Sequence, residues 1–108
     1  MVTIPLTANA SYRFTVEIES ETVEFAVRWN LVESAWYFDI VGVSFTLELK
    51  GIKFVGGVNL LKPYAVRELG GLYMIDSEEK NEDPDFDGLG DRYRLIYVTK
   101  AEMESLGF

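Results

Sequence analysis

Two residue types are missing from this chain, and their absence removes several classes of function. The 108 residues include no cysteine and no histidine. Without cysteine there is neither a disulfide framework nor a thiolate metal site. Without histidine the chain lacks the commonest general base and the commonest ligand of transition metals. We therefore expect no cofactor.

Signals for secretion and membrane insertion are also missing. The first ten residues, MVTIPLTANA, have neither the basic start nor the apolar run of a signal peptide. No apolar run approaches the roughly 20 residues that a transmembrane helix needs. We expect a chain that is neither secreted nor inserted into a membrane.

Negative charge is concentrated in one segment. The formal net charge is −8, and residues 76–91 hold eight acidic residues against one basic residue, which accounts for −7 of it. We call this segment the acidic loop, and its length and charge predict a surface position. Because its field repels a phosphate backbone, we expect no direct binding of nucleic acid.

Alternation of apolar and polar residues predicts short strands over most of the chain. A tight hairpin turn is predicted at Ser20-Glu21, between the first two strands. With no long helical pattern to serve as a crossover, we expect a mainly β fold: a small single-domain antiparallel β-sandwich or barrel over residues 1–108. About seven strands are predicted, from the segments SYRFTVEIE (11–19), TVEFAVRWN (22–30), WYFDIV (36–41), VSFTLELK (43–50), GIKFV (51–55), GLYMI (71–75) and RYRLIYV (92–98), where GIKFV either continues the preceding strand or bends it at Gly51.

Only the C-terminal end of the chain has the signals of a helix, over about 99–106. Thr99 followed three residues later by Glu102 is the pattern of a capping box. Gly107 is the predicted stop, since glycine adopts the left-handed conformation that ends many helices.

The acidic loop contains the opening of a calcium-binding loop. Asp83, Asp85 and Asp87, followed by Gly88, reproduce the pattern D-x-D-x-D-G. Arg94, however, stands where an EF-hand has its bidentate glutamate, and predicted strands rather than helices flank the loop. We therefore expect a solvated acidic turn and no metal site. If the loop did bind a metal ion, these three aspartates would be the candidate ligands.

No motif in the chain predicts catalysis. The glycines of VGGVN (55–59) match neither a dinucleotide-binding nor a phosphate-binding loop, and no serine lies in a nucleophile elbow. The carboxylates cluster in the acidic loop, where water solvates them. We expect that the chain is not an enzyme.

Two apolar features leave alternatives open. The run Val58, Leu60, Leu61, Pro63 and Tyr64 does not alternate, so it either crosses the core or forms an exposed surface that docks onto a partner. Trp29 and Trp36 flank one loop and either close the core or form a binding surface. If such surfaces bind ligands, the chain has an alternative function. It is then a small β-sandwich module that binds carbohydrate through the Trp29/Trp36 hairpin, or calcium through the Asp83–Asp87 loop.

Several motifs carry a resemblance to a known family. They are Arg28-Trp29-Asn30 with Trp36-Tyr37, the run GVNLL (57–61) followed by Pro63-Tyr64, and Leu89-Gly90 before RLIYV. Their order, together with IPLTANASYRFTVEI near the N-terminus, resembles the baseplate plug family of contractile-tailed phages. The resemblance covers nearly the whole chain.

The resemblance implies a structural protein of the virion, at the centre of the tail baseplate, that plugs or bridges the hub and spike region. Implied partners are the baseplate hub, spike, tube or wedge proteins and other copies of the chain, with assembly in the host cytoplasm. The candidate interface residues are Trp36, Tyr37, Asn59, Leu60, Leu61, Pro63 and Tyr64.

Overall fold

Two antiparallel sheets form the framework of this protein. The computed structural model describes residues 1–64, 69–80 and 82–106. Its elements, in chain order, are β1 (Val2–Ile4), β2 (Ser11–Ile18), β3 (Glu21–Asn30), β4 (Ala35–Gly42), β5 (Glu48–Lys53), a 3₁₀ turn (Lys62–Tyr64), β6 (Gly71–Asp76), β7 (Tyr93–Val98) and α1 (Lys100–Leu106). The strand orders are β2-β3-β4-β5 and β1-β7-β6. The predicted mainly β fold with seven strands and a short C-terminal helix is confirmed.

The core lies between the two sheets, and alternating residues of both fill it. In β3, Val23, Phe25 and Val27 are buried while the residues between them are not, as the period of two predicts. Burying the apolar face of each strand against the other sheet gives the main stabilisation of such a fold. Other strands of the two sheets contribute Phe38, Ile40, Leu72, Met74, Leu95 and Tyr97.

Two strand predictions differ from the structure. Val2–Ile4 forms a strand that pairs with β7, although so short a segment before Pro5 gives little periodic signal. The predicted strand over 43–50 begins only at Glu48, because the chain reverses tightly after β4: a Cβ on Gly42 would lie 2.3 Å from the carbonyl oxygen of Phe45. The strand then continues through Gly51, whose φ is +70°.

The turn between β2 and β3 is Glu19-Ser20, one residue earlier than predicted. Both residues have positive φ, at 53° and 65°, which suits a two-residue hairpin but is uncommon for residues other than glycine. The Glu19 carboxylate accepts hydrogen bonds from the Tyr97 hydroxyl at 2.5 Å and from the N–H of Lys100 at 2.8 Å. This side chain therefore ties the hairpin to β7 and to the start of α1.

The segment after β5 crosses from one sheet to the other. Asn59 is the residue that holds it, since its Oδ1 accepts hydrogen bonds from the N–H groups of Leu61 and Leu72, at 3.0 and 3.2 Å. Leu60 and Leu61 follow and are buried in the core. Of the two alternatives for this apolar run, core packing is correct for these two leucines.

Helix α1 begins with the predicted capping box. The Thr99 hydroxyl accepts a hydrogen bond from the N–H of Glu102 at 3.2 Å, and the Glu102 carboxylate accepts one from the N–H of Thr99 at 3.0 Å. The predicted stop at Gly107 lies outside the described residues. None of the helices in the part of the chain that the structure describes is long and apolar enough to cross a membrane.

Candidate interaction surfaces

The base of the acidic loop is closed by an ion pair between its two ends. The Nε and Nη2 atoms of Arg92 donate to the carboxylate of Asp76 at 2.8 and 2.9 Å, and the Asp76 side chain is fully buried. Arg92 also donates to Glu82 at 3.0 Å. The Arg92 hydrogen bonds hold the pKa of Asp76 well below its usual range, although burial opposes them. The pair fixes the spacing of the loop's two ends.

Apolar residues inside the loop attach it to the four-stranded sheet. Pro84 and Leu89 are buried. The Phe86 ring stacks on that of Trp36, with centroids 5.3 Å apart and planes at 14°. The indole N–H of Trp36 donates to the carbonyl oxygen of Asp85 at 2.8 Å. The loop therefore packs on the sheet, and all of its charged side chains except that of Asp76 are exposed.

The three candidate metal ligands contact different groups. The Asp83 carboxylate accepts from the N–H of Gly56 at 3.2 Å, and the Asp85 carboxylate accepts from the N–H of Gly88 at 2.7 Å. Asp87 is exposed. Within residues 1–64, 69–80 and 82–106, no three carboxylates lie close enough together to hold a metal ion. Two of the aspartates thus shape the loop through backbone hydrogen bonds.

The two tryptophans form a packed cluster with Phe86. Trp36 is fully buried. Trp29 is half-buried, and its ring meets those of Trp36 and Phe86 edge to face, with centroids 5.3 and 5.4 Å away. Because Trp36 has no open ring face, the alternative in which Trp29 and Trp36 stack on a carbohydrate is wrong. The two tryptophans instead close the core beneath the acidic loop.

The seven candidate interface residues separate into two groups. Trp36, Leu60 and Leu61 are at most 5% exposed, so they support the surface from below and do not form it. The residues that reach the surface, fully or in part, are Tyr37, Asn59, Pro63 and Tyr64.

An open apolar groove lies beside the 3₁₀ turn. Its volume is about 880 Å³. Apolar groups dominate its wall, and Lys62 adds a positive charge at the rim. Two of its residues, Tyr73 and Met103, were not predicted, because they come from β6 and α1 and only the fold brings them beside the turn. We call this feature the apolar groove; its lining residues are Val58, Asn59, Lys62, Pro63, Tyr73 and Met103.

A second apolar feature is the tip of the β3–β4 hairpin, residues 31–34, which we call the hairpin tip. Leu31 and Val32 are 82% and 95% exposed. The Asn30 carboxamide oxygen accepts from the N–H groups of Val32 and Glu33, at 3.0 and 3.1 Å, and the Tyr37 hydroxyl donates to the Glu33 carboxylate. These hydrogen bonds define the shape of the turn. The sequence predicts only a loop here, although two adjacent large apolar residues in a loop are a usable signal.

Comparison with known proteins gives one family. A family model described as cyanophage baseplate Pam3 plug gp18 matches residues 1–100 of this chain. The matched range contains the seven strands that the structure describes, the hairpin tip and the acidic loop. No curated protein matches the chain.

Proposed function

This chain belongs to the cyanophage baseplate plug family and is thus a structural component of a phage tail, and we propose that it plugs or bridges the central hub and spike region through protein–protein contacts. The observation that carries the proposal is the family match over residues 1–100. A structural family of this kind favours a role without catalysis. The chain would be present in the baseplate of the virion and, during assembly, in the host cytoplasm.

The acidic loop is the surface we assign to the contact with the hub. Asp76 and Arg92 join its two ends, and Phe86 attaches its second half to the sheet, so these parts of the loop lose little conformational freedom when a partner binds. The segment carries most of the net charge of −8, which selects a partner surface with basic residues. The same field would keep DNA in the tail channel away from the plug.

The contact can be tested with the hub protein encoded beside this chain. We expect size-exclusion chromatography with light scattering to show a complex of the two proteins that weakens as salt increases, because charges on the loop are screened. Replacing two exposed loop carboxylates, by Asp87→Asn and Asp91→Asn, should weaken the complex about tenfold.

A double variant with the same change in charge is the matched control. Glu17 and Glu104 are exposed and lie outside the loop, so Glu17→Gln with Glu104→Gln should leave the hub complex unchanged. If the wild-type chain forms no complex with the hub at low or high salt, the proposed bridging role is contradicted. If both double variants weaken the complex equally, the contact depends on net charge, and the loop is not the contact surface.

A further inference from the structure

The hairpin tip presents exposed apolar side chains on a turn whose backbone is hydrogen-bonded. Leu31 and Val32 protrude from a turn whose backbone is fixed by the Asn30 carboxamide. Burying them in a partner would remove apolar surface from water with little loss of backbone freedom. Two adjacent large apolar residues at this exposure are typical of a contact site.

The apolar groove has the size and the lining to accept such a tip. A volume of about 880 Å³ is large enough for the side chains of a leucine and a valine together. Val58, Pro63, Tyr73 and Met103 supply the apolar wall. The exposed Lys62 at its rim complements the exposed Glu33, which follows Val32 in the hairpin tip.

The tip and the groove lie toward opposite ends of the molecule. The tip follows Asn30, the last residue of β3, and the ten residues of that strand span roughly 30 Å at about 3.3 Å per residue. At the other end of β3, the Glu19 carboxylate contacts the N–H of Lys100, the first residue of α1. Met103, one turn into that helix, lines the groove. The tip therefore cannot reach the groove of its own chain.

We propose that the groove is filled by a second copy of this chain, with Leu31 and Val32 of one copy inserted against Val58, Pro63, Tyr73 and Met103 of the next. This inference rests on the proposed baseplate role, in which the chain assembles around the tail axis. Around an axis with more than two copies the contact is head-to-tail, because each copy offers its tip to one neighbour and its groove to the other, and it closes into a ring when the rotation between neighbours permits.

Salt separates this contact from the one with the hub. Each copy carries a net charge of −8, so copies repel each other at low ionic strength. Apolar contact between copies should strengthen as NaCl rises from about 0.05 to about 0.5 M, because the repulsion is screened. Binding of the acidic loop to a basic hub should weaken over the same range.

The test is sedimentation velocity of the full chain over a range of protein concentrations at both salt levels. We expect a defined oligomer of the 12.3 kDa chain at high salt. Leu31→Ser with Val32→Ser, or Val58→Asp in the groove, should weaken self-association at least tenfold. The control is Val43→Ser, since Val43 is also exposed, at 61%, but belongs to neither surface.

Mixing the two disabled variants tests whether the tip of one copy contacts the groove of another. The tip variant keeps an intact groove and the groove variant keeps an intact tip, so together they should form a one-to-one heterodimer that grows no further. If Val58→Asp impairs folding, the charge variants Glu33→Lys and Lys62→Glu replace it. Each alone should weaken association, and both together in one chain should restore it.

A wild-type chain that stays monomeric at every concentration and salt level would overturn the inference. So would an oligomer that the tip and groove variants leave intact, or disabled variants that form no heterodimer when mixed. Hub binding is measured separately on the tip variant, which retains the acidic loop. If the tip variant binds the hub but does not self-associate, both proposals are supported; if the wild type self-associates but ignores the hub, only the bridging role fails.

Discussion

The guanidinium of Arg92 holds the carboxylate of Asp76 through two hydrogen bonds, at 2.8 and 2.9 Å, and thereby joins the two ends of the acidic loop. Asp76 is the last residue of β6, and Arg92 directly precedes β7. The loop carries a charge of −7, so without this ion pair the repulsion between its carboxylates would drive its two ends apart. The pair therefore determines whether the loop keeps one shape, on which the proposed hub contact depends.

Replacing Asp76 should open the loop without unfolding the sheets. Asp76→Asn leaves the Arg92 charge without its principal partner and weakens the hydrogen bonds to the N–H groups of Glu78 and Lys80. We expect the thermal midpoint to fall by several degrees and the amides of the acidic loop to exchange hydrogen faster. Asp87→Asn is the control, because Asp87 is exposed; a loop equally protected in both variants would contradict this role of the pair.

Stability should fall as the solution becomes acidic, and Asp76 should account for part of that loss. Its pKa in the folded state lies below the value of about 3.9 in an unfolded chain, so its stabilisation is complete above that pH and is lost as the pH falls toward the folded value. The N-terminal ammonium and the N–H of Thr99 lower the pKa of Glu102 to about 2, which has the same sign. Urea unfolding between about pH 4 and pH 2 should show a shallower decline for Asp76→Asn than for the wild type. Parallel declines would contradict the assignment.

The turn residues Glu19 and Ser20 offer a matched pair of glycine substitutions. Both have positive φ, which glycine adopts without strain. Ser20→Gly should raise the free energy of unfolding by about 0.5 kcal/mol, because Ser20 is exposed. Glu19→Gly relieves the same strain but removes the acceptor of the Tyr97 and Lys100 hydrogen bonds, so we expect a net loss of about 1 kcal/mol. Equal effects in urea unfolding would show that the Glu19 carboxylate does not tie the sheets together.

Alanine substitutions at Gly90 and Gly51 distinguish the cost of backbone strain from the cost of a steric clash. Both have positive φ, at +85° and +70°. A Cβ on Gly51 has its nearest neighbour at 3.9 Å, whereas one on Gly90 would lie 2.2 Å from the carbonyl oxygen of Leu6. Gly51→Ala should lower the free energy of unfolding by about 1 kcal/mol, from strain alone. Gly90→Ala should lower it by about 3 kcal/mol, since the segment after β1 must also move; similar losses in the two variants would be inconsistent with this close approach.

Much of the fold could be predicted because alternation in β2 and β3 leaves only one face for the core. The burial of Trp36 also follows from such a pattern, since Phe38 and Ile40 lie on the same side of β4 and are buried with it. The sequence alone could not show that Tyr73 and Met103 share a groove, because contacts between distant segments depend on how the elements pack.

Local patterns also mislead at the acidic loop. The aspartates at 83, 85 and 87 have the spacing of a calcium site, but the buried residues Pro84 and Leu89 and the stacked Phe86 set the path of the chain. The carboxylates are directed by that path to backbone N–H groups and to solvent. The apolar residues between the charges, which a charge pattern ignores, therefore determine the geometry of the loop.

The most direct test of the baseplate role is quantitative mass spectrometry of purified tails from a phage or prophage that encodes this chain, combined with chemical cross-linking. Our account predicts that the chain copurifies with the hub protein in a fixed ratio, with cross-links from Lys80 in the acidic loop to the hub and from Lys62 at the groove to a second copy. A chain that is abundant in the lysate but absent from purified tails would contradict it.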